Sequence, residues 1–244
     1  MKKTPTLTRK WSKLTGKILT ILLIAIPAHA QPSMSTPLEP SEQGTKMSQT
    51  VTDSQRETAL GILTTAMAIL RENQPFDPAH VIFGRHFATN PAVGPVGREY
   101  AFENPSFPAT QITLLMEGDP SDCKSNHTTV KLVPTVFTIR FSPLMAGISR
   151  STLEDLYPLA RGYWIDSSGN RQPGNDLGTT PPQVLLHGYR YRASSQPTSK
   201  FPVDVELAFG DPNPHATKEN ARKTPVLMDV ILSRDYSQST SIRR

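Results

Sequence analysis

VDVELAF, residues 203–209, sets Val203, Val205, Leu207 and Phe209 in alternation with Asp204, Glu206 and Ala208. Successive side chains of a strand point to opposite faces, so a period of two describes a sheet buried on one side and wet on the other, the habit of antiparallel sheets. The same reading extends to QITLLMEG at 111–118, TTVKLV at 128–133, TVFTIRF at 135–141, VLLHGYRYR at 184–192 and VLMDVILS at 226–233. Pro134 has no N–H to give a ladder, so TVKLVPTVFTIRF is either two strands or one edge strand with a bulge.

Upstream of these the period changes. Leu60, Leu63, Met67 and Leu70 recur at helical spacing with Ile62, Ala66 and Ile69 beside them, until Asn73 and Pro75 stop the pattern. Thr52 with Gln55, or Ser54 with Glu57, supplies a reciprocal cap at its start. The Met and Leu stripe reads as a core face rather than a cofactor box. A second capping signal, Ser151-Thr152-Leu153-Glu154, opens a short helix that Pro158 must end or bend. Helices segregated from a run of strands predict an α+β fold: a mostly antiparallel sheet of about five or six strands, one long N-terminal helix and one short helix. No self-similar period appears, which removes solenoids and propellers.

Two stretches read as loops. Residues 74–110 carry Pro75, Pro78, Pro91, Pro95, Pro105 and Pro108 at intervals too short for a regular element, apart from a turn of helix or an edge strand at His80 to Phe87. Residues 166–183, DSSGNRQPGNDLGTTPPQ, are all turn chemistry with Leu177 the single apolar anchor, so a partner is the agent expected to order them.

The N-terminus reads as an export signal. Ile18 to Ile26 is too short to cross a bilayer as a helix, which takes about twenty residues. Lys2, Lys3, Arg9, Lys10, Lys13 and Lys17 precede it, Pro27 follows it, and Ala28-His29-Ala30 offers small residues for cleavage before Gln31. The chain then divides into a signal peptide at 1–30, a disordered leader at 31–50, a single α+β domain at 51–236 and a flexible tail at 237–244. Localisation on this reading is periplasmic or secreted.

Cleavage also changes the charge argument. Of 26 basic and 21 acidic residues, six basic and no acidic ones lie in the signal, leaving 20 against 21. The mature chain lacks the basic excess that phosphate neutralisation requires, which argues against nucleic acid, and the missing span argues against stable membrane insertion. Cys123 is the single cysteine, so no intrachain disulfide forms.

Candidate chemistry is sparse. Asp119, Asp122, Cys123 and His127 cluster in DPSDCKSNH at 119–127, where a thiolate with a nearby base could act as a nucleophile. Asp166, Ser168 and Asn170 stand at alternate positions of a calcium-loop pattern, but Arg171 and Leu177 occupy the places of its glycine and final glutamate. Asp77 and His80 with His86 have no serine elbow to activate, and zincin, phosphate-loop and dinucleotide motifs are all missing. No metal or cofactor is expected. What remains is aromatic: Tyr163 and Trp164 precede the long polar segment, and Leu185, His187, Tyr189 and Tyr191 share one face of the 184–192 strand. Tyr, Trp and Arg dominate interface hot spots because they bury area while keeping a polar handle. Tyr163, Trp164, Asp166, His187, Tyr189 and Tyr191 are therefore the candidate partner-binding set, with the core as the other home for the rings.

Two function classes follow. The first is an exported, non-catalytic protein-binding protein: an inhibitor or immunity-type protein against a toxin, or an accessory protein of an envelope secretion machine. Its partner is another protein, a toxin, an enzyme or an envelope component. The second is a periplasmic hydrolase using Cys123 with His127, or another histidine.

Overall fold

The alternation at 203–209 is a strand, Val203–Gly210, with Val203, Val205, Leu207 and Phe209 each no more than 2% exposed. It belongs to a computed structural model that describes residues 48–92, 97–120, 131–179, 186–193, 199–210 and 225–236, all within one unit, Gly44–Arg244. In chain order the elements begin with β1 (Ser48–Thr50), α1 (Asp53–Leu70), a 3-10 turn (Val81–Phe83), β2 (Arg85–Pro91), β3 (Arg98–Asn104), β4 (Phe107–Gly118) and β5 (Leu132–Ala146). They continue with α2 (Arg150–Leu156), β6 (Tyr163–Ile165), β7 (Arg171–Pro173), β8 (Asp176–Thr179), β9 (Leu186–Arg192), β10 (Val203–Gly210) and β11 (Val226–Arg234).

One nine-stranded sheet dominates, in the order β2-β3-β4-β5-β11-β10-β9-β8, with every neighbouring pair on that path antiparallel. The ninth strand, β1, runs parallel to the end of β5, past the last β4 pair at Arg140. The expected α+β class and mostly antiparallel sheet hold, and the sheet is larger than the five or six strands the sequence suggested.

The extra strands come from segments read as loops. Residues 74–110 supply β2, β3 and the start of β4, because the prolines sit where a ladder tolerates them. Pro91 ends the edge strand β2, Pro105 lies in the β3–β4 turn, and Pro108 precedes the first β4–β5 pair at Gln111. Gly84 opens β2 at φ 99°, where a Cβ would fall 2.1 Å from the Glu103 carbonyl oxygen, so only glycine fits that approach. Residues 48–50, assigned to the leader on composition, form β1 through backbone pairing that polar side chains permit. Pro134 lies inside a single fifteen-residue strand, β5, which is central rather than an edge. The β11 ladder ends at Val136, and β4 shifts register between Leu115 and Met116 opposite Pro134, so the missing N–H breaks no regular rung.

Helix α1 starts at the Thr52 cap, whose side chain accepts from the Gln55 N–H while Gln55 returns the bond, the first of the two capping boxes expected. The second helix is capped by Ser149 rather than Ser151: its side chain accepts from the Thr152 N–H at 3.1 Å, two residues earlier than the sequence signal implied. Ile62, Leu63, Ala66, Met67, Ile69 and Leu70 of α1 are all buried against the sheet face that carries Phe137, Val205, Val230 and Leu232. Each of these side chains larger than alanine contributes about 1.5 to 3 kcal/mol on leaving water. Arg234, with a fully buried side chain, fastens the end of β11 to the last turn of α1 by donating to the Ile69 carbonyl at 2.9 Å. Its guanidinium lies 4.4 Å over the Phe201 ring.

Both edges of the sheet are bulged. On β2 the register skips Phe87 between His86 and Ala88, and on β8 it skips Leu177 between Asp176 and Gly178. These two extra residues, 53% and 48% exposed, are large apolar side chains turned to solvent.

Candidate partner-binding surface

Residues 163–179 are held within the chain, mostly by polar ties with Ile165 buried, whereas a partner was the agent expected to order the polar segment. Strands β6 and β7 form a hairpin, Tyr163 opposite Pro173 and Ile165 opposite Arg171. Asp166 closes its turn: the carboxylate accepts from the N–H groups of Ser168 at 3.0 Å and Asn170 at 2.8 Å, and from Gln172 Nε2 at 2.7 Å. The Asn170 N–H and then the Gln172 amide hold that carboxyl below its ordinary range. Asn175 ties the hairpin base to the sheet, its amide donating to the carbonyls of Ala160, Tyr163 and Arg190 while its oxygen accepts from the Gly162 N–H. β8 then pairs with β9 as the sheet's edge. Residues 180–185, which include Leu185, lie outside the described residues.

Two arginines stack on the hairpin aromatics. Arg171 lies 3.7 Å from the Tyr163 ring centroid, and Arg190 of β9 lies 4.8 Å from that of Trp164. Alternation sends Tyr163 and Trp164 to opposite faces of the hairpin. Arg190 Nε also lies 3.3 Å from Glu206 Oε1 on β10, its cross-strand partner.

Glu206 also lines a depression on the sheet face away from α1. Register pairs Ala208 with Gly188 on one side and with Asp229 on the other, so two small residues stand side by side with no bulk above them. Leu177, Leu186 and Ile231 wall the hollow, Glu206 and Asp229 reach its rim, and its volume is about 200 Å³. A Cβ added at Gly188 would meet Leu177 at 3.6 Å, an ordinary contact, so the floor is open by choice of residue and not by steric need. Arg140 pairs with Asp229 at 2.9 Å beside it.

The opposite face of β9 carries a different cluster. His187 Nε2 lies 2.6 Å from Asp176 Oδ1, its ring packs on Tyr189 at 4.7 Å, and Arg150 of α2 lies 4.7 Å over Tyr189. The Gly178 N–H first, and His187 after it, lower the Asp176 carboxyl. Tyr191 is 2% exposed and donates to Glu154 Oε1 at 2.7 Å, so its ring is part of the core. Burial and the Glu154 carboxylate raise its hydroxyl pKa.

The candidate set therefore divides. Tyr163, Trp164 and Asp166 share the hairpin, with Asp166 committed to the turn, while His187 and Tyr189 face the α2 side of β9 and Tyr191 is internal. Sequence reasoning missed Leu177, Gly188, Arg190 and Glu206 as a surface; the available signal was a glycine and an alanine on the wet faces of two strands. Cys123 and His127 lie outside the described residues. Among the described residues no group of three or more His, Cys, Asp or Glu side chains converges as a metal site, and no helix is long and apolar enough to cross a membrane. No protein-family model matches the chain, and no curated protein or solved structure matches it either.

Proposed function

We propose that this is an exported, non-catalytic protein-binding protein of the periplasm, an inhibitor or immunity-type protein against a toxin or an accessory protein of an envelope secretion machine. The observation that carries this reading is the hollow floored by Gly188 and Ala208 beside the Arg190–Trp164 stack. An apolar hole whose rim carries Glu206, itself beside an Arg190 that stacks on Trp164, supports a hot-spot reading, in which a few aromatic and arginine residues supply most of the binding energy. The signal-like residues 1–30 support the compartment.

Gly188→Leu tests it. The first carbon of a new side chain meets Leu177 at 3.6 Å, an ordinary contact, and the rest of a leucine is expected to occupy the hollow and displace an inserted partner side chain; a thermal melt checks that the variant is folded. The native partner is recovered by crosslinking in the envelope fraction and titrated against both proteins. Loss of about thirty-fold or more in affinity, at an unchanged melting temperature, supports the reading; normal binding by the variant removes this surface.

The His187–Asp176 contact at 2.6 Å supports the alternative, a periplasmic hydrolase that uses a histidine, with Cys123 and His127 as the other candidates. A folded His187→Ala or Cys123→Ser variant that binds the partner normally yet loses the cellular phenotype would replace the binding reading with this one.

A further inference from the structure

We propose that the β6–β7 hairpin recognises carboxylates, so that the partner segment docking here is an acidic stretch of polypeptide. This rests on the protein-binding reading and adds a second contact for the same partner, on the hairpin face opposite Trp164. Arg171 is exposed and stacked on Tyr163 at 3.7 Å, and it makes no hydrogen bond or ion pair with any described residue. Most other guanidiniums of the region already face an acid: Arg150 and Arg161 face Glu154, Arg190 faces Glu206, and Arg140 faces Asp229. The hairpin's own carboxylate, Asp166, is turned into the loop by three donors and does not compete for Arg171. What the hairpin offers outward is therefore a planar fork of donors, fixed in orientation by the ring beneath it. Such a fork pairs with a carboxylate through two parallel hydrogen bonds, and its prior stacking lowers the ordering cost on binding.

A densely charged phosphate surface is the poorer fit. Asp176 and Glu206 flank the hairpin, and beyond residue 30 the chain holds 20 basic against 21 acidic residues, so an extended phosphate surface meets as much repulsion as attraction. A peptide whose carboxylates are spaced along the chain can place one of them on Arg171 without a continuous run of charge.

The exported form, beginning at Gln31 and holding Trp164 as its single tryptophan, is the test protein. It is titrated with a Glu-Gly repeat peptide, the matching Gln-Gly peptide, inorganic phosphate and phosphatidylglycerol vesicles, with Trp164 emission and the arginine Nε–Hε signals as readouts. The Glu peptide is expected to move the Arg171 signal saturably while the Gln peptide does not. Arg171→Gln should weaken it by about tenfold or more and Arg171→Lys by less, because the ammonium keeps the charge and loses the fork. Arg56→Gln, remote and paired with Asp53, should leave it unchanged. No response to the Glu peptide, an equal response to the Gln peptide, insensitivity to Arg171→Gln, or stronger binding of phosphate or vesicles overturns the proposal. If it falls while Gly188→Leu still abolishes native-partner binding, only the acidic chemistry is lost; if Gly188→Leu also binds normally, the binding surface falls with it.

Discussion

The hydroxyl of Tyr191 donates to Oε1 of Glu154 across 2.7 Å, joining β9, the strand next to the sheet's edge, to the second helix. Glu154 is only 12% exposed and also receives Arg150 at 3.0 Å, so the pair closes a partly buried polar chain. Tyr191→Phe removes one hydrogen bond to a charged group and should cost about 1.5 to 3 kcal/mol, while Tyr191→Ala adds a cavity and should cost about 3 to 5 kcal/mol. Urea unfolding measures both. Because the ring is internal, the folded fraction of Tyr191→Phe should bind the partner like the parent; a selective binding defect would return Tyr191 to the interface.

Trp164→Ala should behave in the opposite way. The ring is half-buried beneath Arg190 and lies outside the apolar core, so its loss should leave the melt within a few degrees of the parent. Partner affinity should fall by about thirty-fold or more. A large drop in melting temperature would instead make Trp164 a structural ring.

Arg234→Met tests the sheet-to-helix fastening. The substitution keeps an apolar stem against Phe201 and removes the donor to Ile69, so a loss of about 1.5 to 3 kcal/mol is expected in urea unfolding. Hydrogen exchange should rise first in the last turn of α1, at Leu70 and Arg71. Uniform acceleration across the sheet would contradict a local role.

Acid should loosen the hairpin. The folded-state pKa of Asp166 lies below its unfolded value, so its contribution to stability is fully present above the ordinary aspartate value of about 3.9 and is lost as pH falls through the lower folded value. A carbon-detected titration should give Asp166 a midpoint below that of an aspartate in an unstructured peptide. Over the same range the Ser168 and Asn170 amides should lose protection. An ordinary midpoint would show that these bonds do not persist in solution.

If residues 1–30 are an export signal, mass spectrometry of the periplasmic fraction should find a chain beginning at Gln31, lighter by about three kilodaltons. An intact N-terminus retained with membranes would refute it.

Sequence patterning revealed the elements whose information is local. Val203 to Phe209 alternate because one face is dry, and the Thr52–Gln55 box reads directly from spacing. The hairpin at 163–173 was opaque because its order comes from Asp166 and Asn175, polar residues that announce a turn but not the three carbonyls Asn175 will reach. β2 and β3 were hidden by prolines whose harmlessness depends on where the neighbouring ladder stops. At the candidate surface, the aromatic face of β9 attracted notice, yet its deepest ring is core and the hollow lies on the reverse, where Gly188 and Ala208 have little side chain to draw the eye. Arg190 and Glu206 meet only through strand register, which composition does not reveal.

The bulges at Phe87 and Leu177 bear on how copies of this chain behave together. A strand laid along either rim of the sheet would find donors and acceptors in step for a few residues and then meet a kink that throws the remainder out of phase. The rims therefore make poor seeds for growth by copying, although each exposes a greasy side chain that would otherwise invite it.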